Sequence, residues 1–102
     1  MQSKELKDGK YILVVEDDAN ILRQIAFNLE NHGYTVATAM SGADALRQMM
    51  LSRPGLLITD IMMPGMDGYE LVEALRRDEH LADLPVIMLT ARVEDEDVTR
   101  GY

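Results

Sequence analysis

Apolar residues along this chain follow two alternating rhythms: short unbroken runs, and sparse stripes at helical spacing. Tyr11-Ile12-Leu13-Val14-Val15 is rich in β-branched residues and carries no polar position. It reads as a strand buried on both faces, as parallel sheets require. Ile21, Leu22, Ile25, Ala26 and Leu29 then recur at the 3.6-residue period of a helix, and Asn31-His32-Gly33 supplies its stop, with Gly33 suited to a left-handed cap. Thr35 to Ala39 is a weaker strand. Ser41 with Asp44 three residues on resembles a capping box ahead of the stripe Ala45, Leu46, Met49, Met50, and Arg53-Pro54-Gly55 ends that helix. Leu56 to Thr59 is a third strand and delivers Asp60. Asp67 with Glu70 makes another N-cap pair before Leu71, Val72 and Leu75. Pro85 to Leu89 is a fourth strand ending on Thr90-Ala91, and the acids from Glu94 to Asp97 suit the first turn of a fourth helix.

Strict strand–helix alternation implies an α/β fold with helices on both faces of a parallel sheet. Right-handed crossovers leave few topologies, and a flavodoxin-like doubly wound sheet in the order 2-1-3-4 is the natural one. Residues 1–9 read as a disordered lead-in and residues 10–102 as one domain, in keeping with a length of 102 residues. Composition narrows the function. With 47% hydrophobic and 27% charged residues this is an ordinary soluble composition. A net charge of −8, with basic residues scattered except at Arg76-Arg77, argues against direct nucleic-acid contact. The absence of cysteine excludes disulfides and thiolate metal sites. No apolar run approaches the roughly 18 residues of a membrane span, and the polar start is no signal peptide. These features point to a cytoplasmic domain with no membrane contact.

In such a sheet every strand directs its carboxyl end to one edge, and ligands bind there at the switch point between neighbouring strands. Strand one ends on Glu16-Asp17-Asp18 and strand three on Asp60, followed by a loop punctuated by Pro64, Gly65 and Gly68. Taken alone, Asp60 is equally a turn or N-cap aspartate, and the acid run a solvated loop end. Convergence of two strands favours a cation site made by Asp17 and Asp60 with Glu16, while Asp18 reads as the cap of the first helix. Oxygen-only ligands select a hard ion such as Mg²⁺. An aspartate beside that ion can attack phosphorus and carry a phosphoryl group, with the Thr90 hydroxyl donating to it. Thr90 is otherwise a strand-terminal threonine bonding local backbone. His32 suits a helix C-terminus better than a phosphoacceptor role, and His80 stands isolated. The eight methionines read mainly as core and gap-filling, although Met62, Met63 and Met66 fall in the loop, where a partner could meet them. No phosphate-cradling G-x-x-x-x-G-K loop is present, which argues against a nucleotide hydrolase.

Val14-Val15-Glu16-Asp17-Asp18, the stretch from Thr59 to Gly68, and Val86-Ile87-Met88-Leu89-Thr90-Ala91 together resemble the receiver domain of two-component response regulators. The three motifs occur in order at the right strand ends. The resemblance implies that Asp60 is the phosphoacceptor, and that Asp17, Asp60 and the main-chain carbonyl of Met62 hold Mg²⁺ with Glu16 assisting through water. It implies that Thr90 follows phosphorylation as a switch and that Ala91 keeps the phosphate accessible. The partners it implies are a histidine kinase or histidine phosphotransfer protein, and an output domain or downstream protein not in this chain. On this reading the domain is regulatory rather than an enzyme in its own right. The family pattern continues with a fifth strand ending in Lys-Pro and a fifth helix, so the chain reads as C-terminally incomplete. The fourth strand would then be an exposed edge, open to dimer formation or exchange of an element. Two alternatives stand beside this reading. One is an interaction module of the same fold that never carries phosphate. The other is an aspartate-nucleophile phosphatase, which wants a second acid where Met62 stands.

Overall fold

The structure is a computed structural model and describes residues 8–89. The strands are β1 (Ile12–Val15), β2 (Val36–Ala39), β3 (Leu56–Asp60) and β4 (Val86–Leu89), and the helices are α1 (Ala19–Asn31), α2 (Gly42–Leu51) and α3 (Gly68–Arg76). All strands are parallel, in the order β2-β1-β3-β4. This is the expected doubly wound sheet. The strands run shorter than their apolar runs: Tyr11, Thr35 and Pro85 stand just outside them. The expected fourth helix, with Thr90 and Ala91, lies outside the described residues.

Alternation of side chains along β1 and β3 builds two cores. Leu13, Val15 and Leu57 pack with Ala45, Met49, Leu71 and Leu75 of α2 and α3, and with Leu81 and Leu84 from the α3–β4 connection. Ile12, Val14 and Ile58 point the other way, toward Leu22, Ile25, Ala26 and Leu29 of α1. Strands buried on both faces need the unbroken apolar runs seen in the sequence. Met50, expected on the apolar face of α2, is instead 63% exposed, because Ala45 and Met49 already fill the narrow stripe that faces the sheet.

The helix ends follow local chemistry. Asp18 caps α1 by accepting from the backbone N–H groups of Asn20 (2.9 Å) and Ile21 (3.1 Å). Gly33, at φ 93°, closes its far end, and His32 Nδ1 meets the Asn28 carbonyl at 2.8 Å. The α3 start is a full capping box between Asp67 and Glu70. The α2 start is only half of one: Ser41 accepts from Asp44 N–H at 3.1 Å, but the Asp44 side chain turns to Arg47 and Gln48. Upstream of β1, Asp8 accepts from Ser52 Oγ (2.9 Å) and Arg53 N–H (3.2 Å), and Gly9 N–H donates to the Arg53 carbonyl (2.7 Å), so these two residues of the expected lead-in are tied to the α2–β3 turn.

Candidate cation and phosphoryl site

β1 and β3 pair directly, with Val15 opposite Thr59, so the residues that follow these two positions emerge together at the carboxyl edge. Glu16, Asp17 and Asp60 each place a carboxylate oxygen within 4.8 Å of the others. Glu16 is fully buried and Asp60 is 1% exposed, whereas Asp17 is half-buried. Glu16 is tied into the sheet by its backbone, whose N–H donates to the Ala39 carbonyl at 3.1 Å. Its Oε2 accepts the Asp18 N–H at 3.0 Å, while Oε1 is buried without a hydrogen-bond partner among the described residues. Such a placement is costly for an ionised group. Burial raises the Glu16 carboxyl from its ordinary value to about 6; the Asp18 N–H opposes this, and the carboxyls of Asp17 and Asp60 add to it.

Asp60 is held by its own strand and by the loop beyond. The Thr59 hydroxyl, buried, donates to the Asp60 carbonyl at 3.0 Å. Gly68 N–H donates to the Ile61 carbonyl at 2.8 Å, folding the start of α3 back over the strand end. A Cβ at position 68 would stand 2.4 Å from the Asp60 carbonyl oxygen and 2.9 Å from Ile61 Cα, so only glycine admits this approach. Gly65, at φ 77°, supplies the left-handed turn within the loop. Sequence reasoning took both glycines as turn punctuation; the close approach at Gly68 depends on a tertiary contact that one sequence does not display.

The remaining candidates divide. Met62 is 60% exposed and lines a cleft with Asp17, Met63 and Pro64, while Met63 turns inward at 7%. The Asp18 side chain is occupied as a helix cap, and its carboxylate is not one of the clustered three. Thr90 and Ala91 are outside the described residues; Leu89, which precedes Thr90, is the register partner of Asp60, and its carbonyl accepts the Ile61 N–H at 3.3 Å. The donor set of the trio is all oxygen, and among the described residues its buried Glu16 Oε1 has no protein donor. Both features fit a hard divalent cation.

A doubly wound α/β sheet with an acidic site at its switch point is the class of protein that the fold defines. Within that class the chain belongs to the response regulator receiver domain family, whose model matches residues 12–102. It is 42% identical over 90 residues to the transcriptional regulatory protein AfsQ1 of Streptomyces coelicolor, covering 88% of this chain and 39% of that protein. It is 41% identical over 93 residues to the phosphate regulon transcriptional regulatory protein PhoB of Escherichia coli, covering 91% and 41%. The chain thus spans about two fifths of the length of these relatives. Among solved structures, the N-terminal domain of a response regulator receiver protein from Methanoculleus marisnigri JR1 superposes with a TM-score of 0.77 at 39% identity, over 87% of this chain and 73% of that one. The chemotaxis protein CheY4 of Vibrio cholerae gives a TM-score of 0.77 at 32% identity, over 87% and 74%. Among the described residues no helix is long and apolar enough to cross a membrane.

Proposed function

We propose that this domain is a phosphorylation-controlled signalling switch that accepts a phosphoryl group on Asp60 from a histidine kinase or histidine phosphotransfer protein. The observation that carries the reading is the convergence of Glu16, Asp17 and the nearly buried Asp60 within 4.8 Å at the ends of two paired strands. Three carboxylates so close repel one another in a site partly closed to water, and a divalent cation relieves that repulsion. Asp17, Asp60 and the main-chain carbonyl of Met62 would hold Mg²⁺, with Glu16 beside them. When bound, the ion supplies charge neutralisation for the transferring phosphoryl group.

The chain's own residues do the rest. An Asp60 oxygen attacks phosphorus, the bond from phosphorus to the donor's nitrogen or oxygen breaks, and the leaving group keeps the electron pair. The Thr59 bond to the Asp60 carbonyl and the Gly68 approach hold the nucleophile's backbone still. Thr90, directly after the register partner of Asp60, is the candidate donor to a phosphoryl oxygen. Asp18 keeps the first helix capped and thereby fixes the turn that bears Asp17. The named relatives are transcriptional regulatory proteins, which supports an output carried outside these residues, in a further domain or a downstream partner.

Incubation with acetyl phosphate and Mg²⁺, read by intact mass, tests this directly. The expected result is a gain of one phosphoryl group that chelation of Mg²⁺ prevents and Asp60→Asn abolishes. No gain in the wild-type chain would favour an interaction module that never carries phosphate.

A further inference from the structure

The loop between β3 and α3 is pinned to the body of the fold at three points. Met63 is buried in the core that α2 and α3 share, and Gly68 stands against the Asp60 carbonyl. The third point is Met66, whose partly buried side chain packs on that core and lies against Gly42, the first residue of α2. A Cβ at position 42 would stand 2.9 Å from Met66 Sδ and 3.0 Å from its Cβ and Cγ. The sulfur can swing aside, but the Met66 Cβ is fixed to its backbone and no change of rotamer moves it. Met66 lies two residues before Gly68, so the segment that touches α2 is also the segment that touches the Asp60 backbone. Upstream of Met66 the same loop carries Met62, which borders a cleft with Asp17.

We propose that Gly42 and Met66 are positioning residues for the cation site: through their contact, α2 sets the segment that bears Asp60 and Met62, and with it the affinity for Mg²⁺. The inference rests on the proposed ligand set and extends it to a helix that supplies none of those ligands. α2 is the fixed partner of the contact. Its Ala45 and Met49 are buried in the core, Ser41 accepts from the Asp44 N–H, and Gln48 Nε2 donates to the Thr38 carbonyl at 2.9 Å. The loop is the part that yields, since Gly65, next to Met66, has open space around it. Ordinary contact begins at 3.4 Å, so a side chain at position 42 makes the Met66 Cβ give by about 0.4 Å. Mg²⁺ demands ligands at about 2.0–2.1 Å in near-octahedral geometry, so a displaced segment carrying two of them binds it less tightly.

Isothermal titration of the chain with Mg²⁺ alone tests this, at a temperature where circular dichroism shows each variant folded. Gly42→Ala, which overpacks the contact, and Met66→Ala, which empties it, should each raise Kd by roughly tenfold, the lower end of the cost of losing a ligand's supporting partner. Met66→Leu keeps the volume of the side chain and should bind within about twofold of wild type. Tyr11→Phe is the control for stability alone. It removes the bond from the buried phenol to the Ser52 carbonyl, at the opposite edge of the sheet, and should lower Tm by roughly 4–8 °C with Kd unchanged. Wild-type affinity in Gly42→Ala or, should that variant not fold, in Met66→Ala overturns the inference. So does a Kd in Tyr11→Phe, or in Met66→Leu, that rises as far as in Met66→Ala. A wild-type chain that takes up no Mg²⁺ overturns the proposed ligand set and this inference together, whereas wild-type binding that both α2-contact variants leave unchanged overturns the inference alone.

Discussion

Replacing Gly68 with alanine tests how the fold aims the site. The new Cβ would lie 2.4 Å from the Asp60 carbonyl oxygen and 2.9 Å from Ile61 Cα, both main-chain atoms of the segment that carries Asp60. Ordinary contact begins at 3.4 Å, so the end of β3 and the start of α3 must separate by about 1 Å. Overpacking of this kind costs about 1–3 kcal/mol. In a domain of this size that lowers Tm by roughly 5–20 °C. The site suffers separately, since a displacement of about 1 Å at a reacting group costs on the order of 10²-fold in rate. Gly33→Ala is the control: its φ of 93° makes alanine strained, by about 1–2 kcal/mol, yet nothing lies within 4 Å of the added Cβ. Thermal melts and the rate of phosphorylation by acetyl phosphate should therefore part company, both falling in Gly68→Ala and only Tm falling in Gly33→Ala. A Gly68→Ala chain that phosphorylates at the wild-type rate would refute the role given to this approach.

Three further outcomes follow from the same geometry. Because the Glu16 carboxyl lies at about 6 rather than 4.5, the folded state holds its proton to higher pH than the unfolded chain does, so stability is greatest at low pH for this group and falls as pH rises through that window. The loss is at most about 2 kcal/mol. Urea melts of the metal-free chain at about pH 4.5 and about pH 7 should show it in wild type and not in Glu16→Gln. Asp17→Asn should weaken Mg²⁺ binding by roughly tenfold, about 1.4 kcal/mol, in isothermal titration, and unchanged affinity removes Asp17 from the ligand set. Asp18→Ala should cost about 1 kcal/mol through the lost α1 cap while leaving phosphorylation at Asp60 within a few-fold; a stability change near zero would deny the cap its weight.

Much of the fold was legible because it rests on local signals. The unbroken apolar runs of β1 and β3, the stripes of α1 and α3, and the caps at Asp18, Asp67 and Gly33 each carry their reason within a few residues. The order of strands follows from crossover handedness, and that order brings Glu16, Asp17 and Asp60 together. What stayed hidden depends on contacts between distant segments. Leu81 and Leu84 sit in a connection with no clear periodicity, yet both are buried under α3. Arg53 reaches the His80 carbonyl at 2.9 Å and Asp83 at 3.1 Å, fastening the turn before β3 to the turn before β4. Met50 and Met63 show the same limit, since apolar character alone did not say that Met50 faces water while Met63 of the loop faces the core.

The central claim is that Asp60, among the clustered acids, receives the phosphoryl group. Borohydride reduces an acyl phosphate to the alcohol, so an aspartate that carries phosphate becomes homoserine. The chain is phosphorylated with acetyl phosphate and Mg²⁺, reduced, digested and sequenced by tandem mass spectrometry. Homoserine at position 60, with Asp17, Asp18 and Asp67 unchanged, is the predicted result. Homoserine at Asp17 or at any other aspartate, or none at position 60 in a chain that has gained a phosphoryl group, would contradict it.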